Sequence, residues 1–415
     1  MRIYSIGGYN EVGKNMTAVE VDDDVFLFDC GLFLPPIVEL VEENKSYSEK
    51  KLRQIGAVPS DDLLDSLDLR RKVRAILPSH AHLDHIGAIP YLSYRYNADI
   101  IGTPFTIEVL KTLLDDEKIF LKNKLKTVQP NSFCFVQGKN HKYQIDFINI
   151  THSTLQTSPN YEKLKEIGKE GVKVLIVDSL YSGDERKTAS EKVARALLED
   201  VMLGTDNKSA GLFVTTFSSH IARIKSITDF GKMLNREIIL LGRSLSKYVS
   251  AANRVDLCPF KNDVYIASYK NQVEKKLKMI NKNRGQYMVI CTGHQGEPGS
   301  ILDRIAKNKL PFEFNKEDHL LFSSSIIPTK VNIENREKLD NRLKKIGVRL
   351  FNNLHVSGHA GREDLRDFIK LVSPEHIIPA HGDHKKIAPM ISLAKDLGYK
   401  EKNLHLMNNK QRLDL

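Results

Sequence analysis

The sequence predicts an α/β fold in which one domain is begun by the N-terminal part, interrupted by a second domain built on a parallel sheet, and closed by the C-terminal segment. Three observations carry this. Met1–Gly7, Met16–Val21 and Val25–Asp29 read as short strands joined by the turns Gly-Gly-Tyr-Asn and Asp22-Asp23-Asp24, an antiparallel meander. Gly211–Phe217, Glu237–Gly242, Tyr287–Gly293 and His319–Ser325 are apolar strands separated by helical stretches, the βαβ signature of a parallel sheet. The last segment then returns to strands that deliver histidines, as the first part does.

Within the meander, Gly8 to Lys14 spells a phosphate-binding loop, but Asn15 replaces the metal-binding hydroxyl and a strand follows where a helix is needed. The buried run Phe26-Leu27-Phe28 ends in Asp29, and a carboxylate there is costly unless something holds it. Residues 35–72 are polar and charged, with a helical patch near Leu63–Leu69, and offer no function.

Val73 and Ala75–Leu77 form the next strand, and Ile86–Tyr91 begins a helix. On the turn between them, His80, His82, Asp84 and His85 crowd four potential metal ligands into six positions. With 14 His in 415 residues, three in so short a stretch is not a compositional accident. A backbone crossing from strand to helix aims His80 and His82 one way and Asp84 and His85 the other, so two metals can share one loop. Imidazole with carboxylate suits zinc, manganese or iron.

Ala98–Gly102 is a strand, Pro104 to about Lys118 a helix, and Phe133–Val136 and Tyr143–Thr151 alternate as strands that deliver His152. Val172–Val177 ends in Asp178 and Ser179, again a carboxylate at a strand end. The parallel strands then end in Thr215 to His220, Gly242-Arg243-Ser244, Thr292 to Glu297 and Ser323-Ser324-Ser325. Ligands bind at the carboxyl ends of such strands, and small residues with Arg243 suit phosphates. Helix caps account for any one of these turns alone; four in succession leave a phosphate-binding rim and a set of caps equally open. Lys261–Arg284 is lysine-rich with Tyr265 and Tyr269 interleaved, which fits either a solvated helical face or an RNA contact. The closing segment reads as strand Arg349–Phe351, the turn His355 to His359, helix Arg362–Val372, strand His376–Pro379 delivering His381, a helix over 385–397 and a short strand over 404–407.

An apolar fraction of 41% and a charged fraction of 27% are ordinary for a globular chain, and no apolar run approaches the roughly 18 residues of a membrane span, so a cytoplasmic protein with no membrane partner is expected. Cys30, Cys134, Cys258 and Cys291 form no CxxC pair and read as buried thiols. A formal charge of +10 favours a polyanionic partner.

These segments resemble the β-CASP branch of the metallo-β-lactamase fold, and the archaeal RNase J group in particular, over essentially the whole length. The words that carry the resemblance are Gly-Gly-Tyr-Asn-Glu-Val-Gly-Lys-Asn-Met (7–16), the histidine loop, Thr-Thr-Phe-Ser-Ser-His-Ile-Ala-Arg (215–223), Cys-Thr-Gly-His-Gln-Gly-Glu-Pro (291–298), His-Val-Ser-Gly-His (355–359) and Pro-Ala-His-Gly-Asp (379–383). The resemblance implies an αββα sandwich over 1–183 and 331–415 with an inserted Rossmann-like β-CASP domain over 184–330. The additional C-terminal domain of bacterial relatives is expected to be lacking. The resemblance further implies one zinc ion on His80, His82 and His152 and a second on Asp84, His85 and His381, with manganese as the alternative metal. Asp29 orients the histidine loop, and His359 and Asp178 act beside the scissile phosphate with Asp84. His355, Ser357, Gly358 and Ser323–Ser325 grip a 5′-monophosphate, with Arg243 on the same rim. The implied activity is hydrolysis of single-stranded RNA, processively 5′→3′ from a 5′-monophosphate end, with endonuclease action possible, by a homodimer.

The chain departs from the family at one place. A hairpin normally follows the His152 motif, and its second strand supplies an Asp bridging both metals. Here Thr154–Pro159 runs straight into a helix over Tyr161–Lys169, with no Asp before Asp178. Three expectations follow: Asp178 takes the bridging role, the site works with one ion or a loose pair, or the chain is a catalytically weak or silent RNA-binding scaffold.

Overall fold

The computed structural model describes residues 1–40, 47–150, 155 and 158–415. Three strands, β1 (Arg2–Gly7), β2 (Met16–Val21) and β3 (Asp24–Phe28), form the expected antiparallel meander. The chain then changes to parallel pairing through β4 (Val73–Leu77), β5 (Asp99–Gly102) and β6 (Leu125–Thr127), giving a seven-stranded sheet whose outer antiparallel strand is the C-terminal Gln411–Asp414 on β1. One face of this sheet, with Tyr4, Ile6, Leu27, Ile76 and Ile100, is covered by helices through Leu64, Ile86, Leu92, Ile107 and Leu110. Each such side chain contributes about 1.5–3 kcal/mol when fully buried.

The other face is covered by two separate strand pairs. The hairpin of β7 (Ser132–Gln137) and β8 (Lys142–Phe147) sets Cys134, Val136, Tyr143 and Ile145 against Phe26, Ala75 and Leu77. Beside it, β9 (Val174–Asp178) runs parallel to a strand near the C-terminus, His376–Ala380. On β9 the alternation is shared between two layers: Val174 and Ile176 join Ile3 and Tyr9, while Leu175 and Val177 join the helices carrying Leu365, Ile369, Met390 and Leu393. The result is the αββα sandwich. Among the described residues β8 pairs only with β7, and β9 only with His376–Ala380, so the second sheet is in two pieces.

The insert carries a parallel sheet of β10 (Leu212–Thr215), β11 (Glu237–Leu241), β12 (Val264–Ala267), β13 (Tyr287–Cys291), β14 (His319–Phe322) and β15 (Arg349–Phe351), in the order β12-β11-β13-β10-β14-β15, with a core on each face. It docks on the first domain through the helix Arg243–Arg254, where Arg254 Nε meets Glu108 Oε2 at 2.6 Å and the Tyr248 hydroxyl donates to the Ala81 carbonyl at 3.3 Å. That last contact reaches the histidine loop from across the domain boundary.

Three readings of the sequence need correction. Arg349–Phe351 was expected with the closing segment but adds to the edge of the insert's sheet, pairing with His319–Leu321, because Leu350 packs against that core. The helix over 385–397 is two, His384–Ile387 and Pro389–Asp396, separated at the proline that has no N–H to continue the ladder. Residues 404–407 make one bridge, Leu404 to Ile377, and the closing strand is instead Gln411–Asp414. That strand is polar and edge-lying, so no apolar alternation marks it; β6 went unseen for the same reason. Labelling continues with β16 for His376–Ala380 and β17 for Gln411–Asp414.

Candidate metal centre and phosphate rim

Strand ends converge at one place. The C-terminal ends of β3, β4, β9 and β16 carry Asp29, the histidine loop, Asp178 and His381 in turn. The register of β9 on β16 sets Asp178 opposite Ala380, which puts Asp178 beside His381. Two of these residues stand in the left-handed region without being glycine, Asp29 at φ 62° and His381 at φ 66°. Both are costly conformations held by the surroundings. The His381 N–H donates to the Gly8 carbonyl at 2.6 Å, and the Asp29 carboxylate turns back to accept from Ser79 N at 2.7 Å, Ser79 Oγ at 3.1 Å and His85 Nδ1 at 2.7 Å. Gly31 closes the arrangement, since a Cβ there would fall on the Asp84 carbonyl.

Asp84, His85 and His381 present donor atoms that all lie within 4.8 Å of one another. His85 Nε2 is 3.5 Å and His381 Nε2 is 3.7 Å from Asp84 Oδ2. The outward nitrogens are taken: Nδ1 of His85 by Asp29, and Nδ1 of His381 by Asn15 Oδ1 at 2.9 Å, so both rings turn Nε2 towards Asp84. Asn15 also donates to the Asp84 carbonyl at 2.9 Å. Burial opposes charge on His85, but Asp29 and Asp84 outweigh it and raise its pKa to about 9. This point favours a positive charge, whether proton or metal ion. Two imidazole nitrogens and a carboxylate facing one point, with the outer nitrogens held, fit a divalent cation, which would displace the Asn15 amide from its 3.3 Å contact with His85 Nε2. Asp29→Ala is expected to weaken metal binding by roughly 10–100-fold, read by competition with a chromophoric chelator; an unchanged affinity would remove Asp29 from this role.

His80 and His82 stand next to this set, with His80 Nε2 3.0 Å from His82 Nδ1. They keep solvent-accessible edges but are ringed by protein, and this enclosure lowers both pKa values, His82 to about 4 even against the pull of Asp84. Neutral imidazoles are the ligand form. His152, the expected third ligand of that ion, lies outside the described residues.

Asp178 forms a second group with His359 and His381, its donor oxygen again within 4.8 Å of theirs. Asp178 Oδ2 is 2.5 Å from His359 Nδ1. Burial opposes both charges, yet the pair sustains them: Asp178 is lowered to about 2 and His359 is raised. The His359 ring stacks on His381 at 5.3 Å, and its carbonyl accepts from Thr188 Oγ1 at 3.0 Å.

The candidate phosphate rim gathers at β10, β13 and β14. Ser323 and Ser324 are buried, Ser325 half-buried, and His355 lies beside them because Ser323 Oγ donates to the Leu354 carbonyl at 2.8 Å. Among the described residues, Ser324 Oγ, His294 Nδ1 and Thr215 Oγ1 are buried without a hydrogen-bond partner. Ser357 Oγ accepts from the His359 N–H at 3.1 Å, and Gly358 is exposed between them. Arg243 is exposed at the start of its helix after β11, with β13 and β10 between that strand and β14.

Asn15, Glu191 and Arg223 had no role assigned from the sequence, and His294 only a place in one turn of the possible rim. Asn15 sits in a glycine loop whose spelling pointed elsewhere. Arg223 interrupts the apolar positions Ile221, Ala222 and Ile224, the one local sign that a charged side chain goes inward.

The chain was compared with known proteins. Residues 209–341 match the Ribonuclease J beta-CASP domain, 345–405 the Zn-dependent metallo-hydrolase RNA specificity domain, and 9–122 the metallo-beta-lactamase superfamily. The Ribonuclease J of Methanocaldococcus jannaschii is 39% identical, covering 100% of this chain and 98% of that one. That of Pyrococcus abyssi is 40% identical, covering 96% and 93%. The chain belongs to the Ribonuclease J family. Its members are metal-dependent ribonucleases of the β-CASP group. The bacterial Ribonuclease J of Mycoplasma genitalium, 28% identical, is covered over 73% of its length. A solved protein of unknown function from Enterococcus faecalis V583 shares the fold, with a TM-score of 0.63 at 15% identity over 100% of this chain and 99% of that one. The pairing with the M. jannaschii Ribonuclease J runs over 447 positions, 32 more than the 415 residues here. No helix among the described residues is long and apolar enough to cross a membrane.

Proposed function

We propose that the chain degrades single-stranded RNA processively in the 5′→3′ direction from a 5′-monophosphate end, with internal cleavage as a secondary activity. Two zinc ions, or manganese in their place, would sit on His80, His82 and His152 and on Asp84, His85 and His381, and the active form is a cytoplasmic homodimer. The dimer, the compartment and the first ion rest on the family resemblance. One arrangement supports the direction of cutting: the rim at His355 and the strand-end cluster at His359 are joined by only Val356, Ser357 and Gly358. A four-residue step spans at most ~14 Å. A chain end gripped at the rim therefore leaves its first phosphodiesters beside the metal ligands.

Ions held by these residues would supply Lewis acidity for phosphodiester hydrolysis. The chain's residues do the rest. Asp29 and Asn15 fix the ring orientations of His85 and His381. His359, charged against Asp178, holds a proton for an oxygen of the scissile phosphate. Buried Ser324 and His294 offer their unpaired atoms to the terminal phosphate. The positive balance of the chain, +10, binds the RNA backbone without reading sequence.

The test follows nucleotide release from one RNA carrying either a 5′-monophosphate or a 5′-hydroxyl, with zinc or manganese. The monophosphate is expected to be preferred at least about tenfold, and Ser324→Ala to narrow that preference by the several-fold that one hydrogen bond provides. Equal rates on both ends would reject the 5′ reading. RNA binding without release under any metal would make the chain the silent scaffold, and the deficit after His152 its cause.

A further inference from the structure

One arginine is wholly enclosed behind the rim. Arg223, on the helix Ile221–Met233, has 0% exposure. Its Nε and Nη2 donate to the two carboxylate oxygens of Glu191 at 2.6 and 2.8 Å, a bidentate pair. Its Nη1 points the other way and shares its hydrogens among Ser323 O at 3.2 Å, Ser323 Oγ at 2.7 Å, Leu354 O at 3.3 Å and His355 Nδ1 at 3.2 Å. Guanidinium nitrogens only donate. The His355 nitrogen they meet must therefore carry the lone pair, and the ring's proton is left on Nε2.

We propose that the Glu191–Arg223 pair is a positioning device for the rim: it holds His355 as the neutral Nε2–H tautomer, which donates one directed hydrogen bond to the terminal phosphate and adds no charge. This rests on the rim's being a 5′-phosphate pocket. The groups around the ring agree with a neutral form. His220 lies 6.5 Å away, ring to ring, with its Nε2 3.3 Å from Glu191 Oε2; Phe217 lies 5.8 Å away and itself packs on His294 at 4.3 Å. The anion among the described residues that acts on the ring, Glu191, is already engaged by Arg223 and His220. Burial, then Arg223 and His220, lower His355 to about 3. A neutral donor also grips a phosphate less tightly than an imidazolium, which suits a site that must let the chain end go at each turnover.

The decisive experiment is a long-range ¹⁵N–¹H correlation spectrum of the full chain labelled at histidine, with the His355 signals identified by their loss in His355→Gln. Expected are an unprotonated Nδ1 and a protonated Nε2, unchanged between about pH 6 and 8, where an ordinary histidine titrates. An Nδ1–H tautomer, or an imidazolium in that range, overturns the proposal. A second arm compares rates on 5′-monophosphate and 5′-hydroxyl RNA. His355→Gln, whose amide N–H reaches the Nε2 position, should keep the preference within about threefold, whereas His355→Asn, which mimics Nδ1, should lose about tenfold. Equal losses overturn the proposal. A wild type indifferent to the 5′ group overturns the pocket reading and this proposal with it. A wild type that prefers the phosphate while the spectrum shows Nδ1–H overturns this proposal alone.

Discussion

Asp84→Ala combined with His85→Ala lowers metal-dependent RNA hydrolysis by at least ~10³-fold, the scale of loss when groups that act as one unit are removed. Two of the three ligand atoms that converge within 4.8 Å disappear, and His381 is left only with Asp178 and His359, whose side chains are already paired to each other. The fold should survive. Asp84 and His85 lie on the helical turn Leu83–Ile86, whose backbone bonds, Cys30 N to His85 O at 2.8 Å and Asn15 N to Asp84 O at 3.0 Å, do not depend on those side chains. Initial rates on labelled RNA, with circular dichroism as the control, decide the matter. Activity above a tenth of wild type in the double variant would mean that hydrolysis happens elsewhere. RNA binding is expected to persist in it, because the rim and the basic surface are untouched.

Arg223→Met destabilises the protein by about 3–5 kcal/mol, since removing one partner of a buried ion pair leaves the other charge uncompensated. Glu191 is 6% exposed and would keep only His220 as a counter-charge. The sign with pH follows from Glu191. Burial raises its pKa, but Arg223 and His220 overcome this and lower it to about 2 from the ordinary 4.5. In the wild type the pair's contribution is therefore fully present above about pH 4.5 and is lost as pH falls through about 2. In Arg223→Met the stranded carboxylate favours a proton, so the gap between variant and wild type narrows on acidification. Urea unfolding at pH 7 and pH 4 measures both. A deficit below about 1 kcal/mol, or one that widens at pH 4, contradicts this account.

How much the sequence disclosed depends on how local each signal is. The meander, the strand-to-helix turn with His80, His82, Asp84 and His85, and the helix Arg362–Val372 are written in runs of adjacent residues, and the structure has them where the spacing put them. The parallel insert was legible because fully buried strands are continuous apolar runs. Polar edge strands give no such run, and so β6 and β17 were invisible until their partners were present.

By itself the sequence determined the ligand types, their order along the chain and the family, because metal chemistry needs particular side chains and a strand-end loop needs particular spacings. The lack of a hairpin after the His152 motif is likewise a reading of the sequence, and most of the stretch that bears on it lies outside the described residues. What only the tertiary structure decided is which residues meet. Asn15 and His381 are 366 positions apart, yet share one hydrogen bond. Arg223 reaches His355 across 132 positions, and Asp178 reaches His359 across 181. Long-range pairing depends on sheet register and on which faces are buried. The left-handed turns at Asp29 and His381 are likewise paid for by contacts made elsewhere in the chain, and no local propensity records them.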